Sequence, residues 1–257
     1  MKKTSLTVAG IVAAMALAFG ANAKTKPTPE PTPENPIMSA VSSYILLDRT
    51  GSMSDIWDEA LGSVNAYAEA VGKVEEGEAD DLKTSVTLAV FDFQQELQFD
   101  VLRKDVEPAA WTNVTNDDVT PRGMTPLFDA INRTITMAEA DNPEKAVIVI
   151  MTDGHENSSR EVTREGAKAA LDRAEARGWE VVFLGAEFAS FGDADAVGVR
   201  SDKQMAVSAG SLTATQERLA KKAREYGKGE EAEIVFDAED RAVAEEDDVK
   251  ERKGSNR

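Results

Sequence analysis

The chain has 257 residues, 42% of them hydrophobic and 30% charged, enough for one large domain with a substantial core. With 29 Lys and Arg against 47 Asp and Glu, its net charge of -18 repels phosphate backbones and anionic membrane surfaces, so nucleic acid is excluded as a partner class. There is no cysteine and a single histidine, His155, which excludes disulfides, thiolate metal sites, cysteine nucleophiles and multi-histidine zinc sites.

Residues 1–23 read as a signal peptide: Lys2 and Lys3 form a basic start, Leu6 to Phe19 is apolar but short for a membrane span, and Ala21-Asn22-Ala23 has the small-x-small pattern of a cleavage site. Cleavage after Ala23 leaves a mature chain without a transmembrane segment and places the protein outside the cytoplasm, periplasmic or secreted in a bacterium. Residues 24–38, with prolines alternating from Pro27 to Pro36, read as an extended Pro-rich linker.

The first strand is Tyr44 to Leu47, an apolar run that stops at Asp48 and is followed by alternating hydroxyls, Thr50 and Ser52. Hard oxygen donors crowded at a strand-to-helix turn suit a small divalent cation such as Mg²⁺. Asp55 to Val74 reads as a helix, because Ile56, Ala60, Val64, Tyr67 and Val71 recur at spacings of three and four. Thr84 to Phe93 and Glu96 to Arg103 are extended runs separated by Gln94-Gln95, a gap that permits only an antiparallel hairpin. Residues 104–122 are irregular, with Trp111 as the one large apolar anchor.

Next, Gly123-Met-Thr-Pro-Leu-Phe-Asp129 opens a helix, with Thr125 expected as N-cap, Pro126 as first helical residue, Asp129 as an acid complementing the helix dipole, and Leu127, Ile131, Ile135 and Ala138 as its apolar stripe. Ala146 to Met151 is apolar without alternation, as expected of a strand buried on both faces, and it too ends in a polar turn, Thr152-Asp153-Gly154-His155-Glu156-Asn157. Arg160 to Arg177 is an Ala-rich helix, Trp179 to Leu184 another buried strand, and Ala196 to Val199 and Gln204 to Ser208 weaker strand candidates. Ser211 to Tyr226 is expected to close the domain as a helix with Leu212, Leu219, Ala223 and Tyr226 inward; residues 230–257 are expected to form a disordered acidic tail.

Strands alternating with helices specify an α/β domain, doubly wound around a mostly parallel sheet with helices on both faces. Ligands of such sheets bind outside the carboxyl ends of the strands, where strand order reverses, and Asp48 and Asp153 each follow a buried strand.

The three segments Asp48-Arg-Thr-Gly-Ser-Met53, Gly123-Met-Thr-Pro-Leu-Phe-Asp129 and Ile148-Val-Ile-Met-Thr-Asp-Gly154 together resemble a von Willebrand factor type A (VWA) domain, whose metal-ion-dependent adhesion site (MIDAS) reads Asp-x-Ser-x-Ser, a distant Thr and a distant Asp. Thr50 stands where the family usually has Ser, and either residue supplies a hydroxyl lone pair. The resemblance covers roughly residues 40–228, within a domain set at 39–229, and implies strand order 3-2-1-4-5-6 with one antiparallel edge strand, a Rossmann-like arrangement. It also implies that Thr50, Ser52 and Thr125 contact the metal directly while Asp48 and Asp153 act mostly through water. Mg²⁺ is the expected ion, with Mn²⁺ or Ca²⁺ as substitutes. One coordination position is then left for the Asp or Glu of a protein partner, and the family uses this arrangement for adhesion, not catalysis. His155 and Glu156 fall on the rim as candidate partner contacts.

Competing chemistries fare less well. A haloacid-dehalogenase phosphatase needs an acid two residues after the strand-terminal Asp, where this chain has Thr50; an aspartic protease needs Asp-Thr-Gly, but Arg49 intervenes; a serine hydrolase needs a Gly-x-Ser-x-Gly elbow, which is missing. A metal-dependent hydrolase at the same residues, or a structural module with a vestigial site, stay as alternatives.

Overall fold

The computed structural model of the protein describes residues 39–74, 77, 81–188 and 190–254. The expected signal peptide and Pro-rich linker lie outside the described residues.

Six strands form one sheet in the order β3-β2-β1-β4-β5-β6: β1 is Ser39–Asp48, β2 Leu82–Phe93, β3 Leu97–Val106, β4 Ala146–Thr152, β5 Glu180–Ala186 and β6 Gln204–Val207. All neighbours are parallel except the β2–β3 hairpin, so the antiparallel strand lies at the edge. Alternate side chains of each central strand serve opposite layers. Ile45 and Leu47 of β1 join Val64, Tyr67, Leu219 and Tyr226 under helices α1 (Trp57–Ala70) and α5 (Leu212–Lys228). Tyr44 and Leu46 join Ile131, Ile135 and Leu171 under α2 (Leu127–Asp141) and α3 (Arg164–Ala176). Burial on both faces explains why β4 lacks polar alternation. The apolar stripes expected for α1 and α2 are buried throughout.

Two expected elements differ. Ala196 to Val199 is not a strand: Ala196 ends a short helix, α4 (Gly192–Ala196), and the chain then turns, with the Val199 N–H donating to the Ala194 carbonyl at 3.0 Å. The acidic segment expected to be disordered is packed on the domain as α6 (Ala238–Val243) and α7 (Glu246–Gly254), with Ile234, Phe236, Ala244 and Val249 buried. Its buried acids Asp240 and Glu246 are paired with cations, Asp240 with Arg218 and Lys222 of α5, and Glu246 with Arg241 and Lys250. The segment also covers the outer edge of β6, where Glu246 accepts from the Ala206 N–H at 3.1 Å and the Ala244 carbonyl accepts from the Ser208 N–H at 2.9 Å. A free strand edge is thereby closed. Among the described residues, no helix is long and apolar enough to cross a membrane.

Candidate metal centre

β1 and β4 are neighbours at the centre of the sheet, and the chain leaves them in opposite lateral directions. A crevice therefore opens beyond their carboxyl ends. Asp48, the last residue of β1, is fully buried there. One of its carboxylate oxygens accepts the Thr50 N–H at 2.7 Å and the other accepts the Thr152 hydroxyl at 2.6 Å. Burial pushes the Asp48 pKa up to about 7; the Thr152 and Thr50 hydrogen bonds pull against it, and the nearby Asp153 carboxylate adds to it. A buried carboxylate in this state gains from a cation placed beside it.

The oxygens beside Asp48 form a continuous chain. Thr125 Oγ1 donates to Thr50 Oγ1 at 3.4 Å, Thr50 Oγ1 lies 3.2 Å from Ser52 Oγ, and Ser52 Oγ donates to Asp153 Oδ1 at 2.7 Å. Three loops meet here, after β1, before α2 and after β4. Adjacent oxygens around a Mg²⁺ ion with bonds near 2.1 Å are spaced about 3 Å apart, so these spacings match the edges of its octahedron. Gly154 borders the same space, since a Cβ at this position would stand 3.7 Å from both Ser52 Oγ and Thr125 Oγ1. Three neutral hydroxyls and two carboxylates are a hard-oxygen donor set, and on donor type and spacing the residues present fit a small divalent cation.

Thr125 does not cap α2. The helix begins at Leu127, the preceding Pro126 has φ -88° and ψ 62°, and no side chain at that position makes a capping bond. The first free N–H groups of α2 are satisfied from the loop after β4 instead: Phe128 donates to Glu156 at 3.0 Å and Asp129 to Ser159 Oγ at 3.1 Å. The Thr125 hydroxyl is thus turned to Thr50, while its backbone is held on both sides by Asn157, which accepts from the Thr125 N–H at 2.9 Å and donates its own N–H to the Thr125 carbonyl at 3.0 Å.

Glu156, a candidate partner contact, is half-buried. Besides Phe128 it accepts the N–H groups of Ser158 and Ser159 and the Ser159 hydroxyl, at 2.8, 2.7 and 2.7 Å, so its carboxylate organises its own loop. The His155 side chain is 55% exposed, with Nδ1 3.0 Å from Asp193 and its ring edge-on to Phe188. Asp129, expected only to complement the helix dipole, is buried and accepts three N–H groups, from Arg160, Glu161 and Val162. Sequence reasoning missed Thr152 and Asn157 as supports. Their polar types were visible in the turn after β4, but their partners, Asp48 and Thr125, lie in other loops.

The family model for the von Willebrand factor type A domain matches residues 44–220. No curated protein matches the sequence. Among solved structures, the von Willebrand factor domain of a type V pili tip protein from Porphyromonas gingivalis superposes with a TM-score of 0.53 at 11% identity, covering 73% of this chain and 96% of that one. A pilus adhesin of Lactobacillus rhamnosus GG in its open conformation gives 0.54 at 13% identity, over 74% of this chain and 30% of the adhesin. Proximal thread matrix protein 1 of the mussel byssus, with a zinc-occupied MIDAS motif, gives 0.51 at 13% identity, over 72% of this chain and 48% of that protein. The chain thus spans about half the length of the mussel protein and less of the adhesin. At these identities the likeness is one of fold.

Proposed function

The chain belongs to the von Willebrand factor type A domain family, and on that premise we propose that it is an exported binding protein, not an enzyme, which engages a protein partner through a divalent cation held by Asp48, Thr50, Ser52, Thr125 and Asp153. The observation that carries the reading is the unbroken run of oxygens from Thr125 through Thr50 and Ser52 to Asp153 beside the buried Asp48 carboxylate. Mg²⁺ is the ion favoured by the hydroxyl-rich donor set. When bound, the cation supplies an electrophilic centre for a carboxylate of the partner.

This chain's residues prepare that encounter. Thr152 and the Thr50 N–H orient Asp48, Asn157 fixes Thr125, and Asp153 orders Ser52. The donors nearest the crevice are neutral hydroxyls, so a cation there keeps much of its charge for an outside Asp or Glu. Two of the similar folds belong to a pilus tip protein and a pilus adhesin, in keeping with a binding role at the cell surface. The chain's one histidine is engaged with Asp193. Export through cleavage after Ala23 belongs to the same proposal.

The test is capture on immobilised protein in Mg²⁺ from an extract of the producing cell's envelope, followed by elution with EDTA. A partner retained in Mg²⁺, released by chelation and not retained by Asp48→Ala supports the reading. Retention unaffected by EDTA or by the substitution overturns it.

A further inference from the structure

We infer that the buried carboxylate of Asp92, gripped by Arg49 and Arg122, is the positioning element that sets the first and second loops of the cation site in register, an inference that rests on the site reading above.

Asp92 is the penultimate residue of β2 and fully buried. Arg49 Nε donates to it at 2.7 Å and Arg122 Nε lies 3.3 Å from its other oxygen. Arg49 reaches on to Asp100 of β3 at 2.7 Å. Arg49 stands between Asp48 and Thr50, the first two site residues. With its guanidinium tied to β2 and β3, the backbone rotation that presents its neighbours to the crevice is fixed. Arg122 belongs to the segment that delivers Thr125, and its N–H donates to the Arg49 carbonyl at 2.8 Å.

The backbone between these anchors is laid down tightly. Gly51 donates to the Gly123 carbonyl at 3.2 Å, and Phe93 and Met124 exchange N–H···O bonds of 2.9 and 3.3 Å. Gly123 adopts φ +75°, and a Cβ there would meet the Phe93 carbonyl at 2.6 Å and Asp92 Oδ2 at 2.7 Å. Only glycine lets the second loop pass so close to the carboxylate. A buried ion pair is a poor source of net stability compared with apolar packing, whereas its directional bonds select one geometry. The geometry selected here is the approach of Thr125 to Thr50.

The experiment is a Mn²⁺ titration, read by the paramagnetic resonance of free Mn²⁺, of wild type, Asp92→Asn and Arg122→Gln, each alone and combined with Thr125→Ala. Amide exchange of the metal-free proteins is measured beside it. Each single variant should weaken Mn²⁺ binding about ten-fold or more, and by less than about two-fold once Thr125 has lost its hydroxyl, because coupled sites are not additive. The Arg122 and Met124 amides should exchange faster, with those of β4 unchanged. Arg122, whose side chain is 44% exposed, carries the test if Asp92→Asn does not fold. Unchanged affinity in a folded variant, or an equal loss with and without the Thr125 hydroxyl, would overturn the positioning role alone. Failure of wild type to bind Mn²⁺ would overturn the site reading and this inference with it.

Discussion

The hydroxyl oxygens of Thr50 and Thr125, 75 residues apart in the chain, stand 3.4 Å from each other. Neither belongs to a regular element. Thr50 follows the central strand, and Thr125 precedes a helix whose free N–H groups are satisfied from a third loop. Freed from capping, the Thr125 hydroxyl is available to the crevice.

On the proposed reading, the buried Asp48 carboxylate serves a cation and not the fold. Asp48→Asn retains the shape and an acceptor for the Thr50 N–H, and it removes a charge that burial opposes. The metal-free variant should melt within about 1 kcal/mol of wild type, while the stabilisation that saturating Mg²⁺ gives wild type disappears. Differential scanning calorimetry with and without Mg²⁺ measures both. A stable variant that still shifts with Mg²⁺ would refute the assignment. The wild-type shift should also be larger at pH 8 than at pH 6, since below about 7 protons compete with the cation for Asp48.

Glu156 tests the support of the second loop. Glu156→Gln keeps the volume but turns one acceptor oxygen into a donor facing the N–H groups it now satisfies. Such a loss costs about 1–3 kcal/mol, and with the α2 start loosened, Mg²⁺ affinity should fall too. Chemical denaturation and calorimetric titration check the two effects. If Glu156 were a partner contact instead, partner binding alone would drop.

Acidification should release the carboxyl-terminal helices. Burial alone would raise the Glu246 pKa, but Lys250, Arg241 and the Ala206 N–H together hold it below the ordinary carboxylate value. A depressed pKa contributes stability that is fully present above the unfolded value, near 4.3, and is lost as pH falls through the lower folded one. Between neutral pH and pH 5 the amide of Ala206 should therefore stay protected, and below about pH 4 its protection should decline. Hydrogen exchange followed by mass spectrometry gives the profile. Glu246→Gln should show the reduced protection already at neutral pH.

Much of this was legible in the sequence, for a physical reason. Asp48, Thr50, Ser52, Thr125 and Asp153 sit at the ends of strongly apolar or strongly periodic segments, so their segments fixed where they would meet. What escaped depends on partners distant in sequence. Glu156 reads as a rim acid until Phe128 is seen to lie against it, and nothing near Arg49 in the chain points to its partner Asp92, 43 residues away. Thr125 looked like a helix cap because its true substitute comes from another loop. The residues after 229 read as solvated acids because the cations that neutralise Asp240 lie on α5, and local composition carries no record of that pairing. Ala196 to Val199 is apolar enough for a strand, yet Ala194 and Val197 are buried from a single helical turn.

On this proposal, five residues from three loops hold a divalent cation that receives an acidic side chain. The most direct test is calorimetric titration of Mg²⁺ into chelator-stripped protein, followed by titration of a short Asp-containing peptide into the loaded form. One saturable Mg²⁺ site is expected, lost in Asp48→Asn and in Thr50→Ala/Ser52→Ala, with peptide binding only when Mg²⁺ is present. Absence of a saturable site, or peptide binding that is the same with and without Mg²⁺, would contradict the proposal.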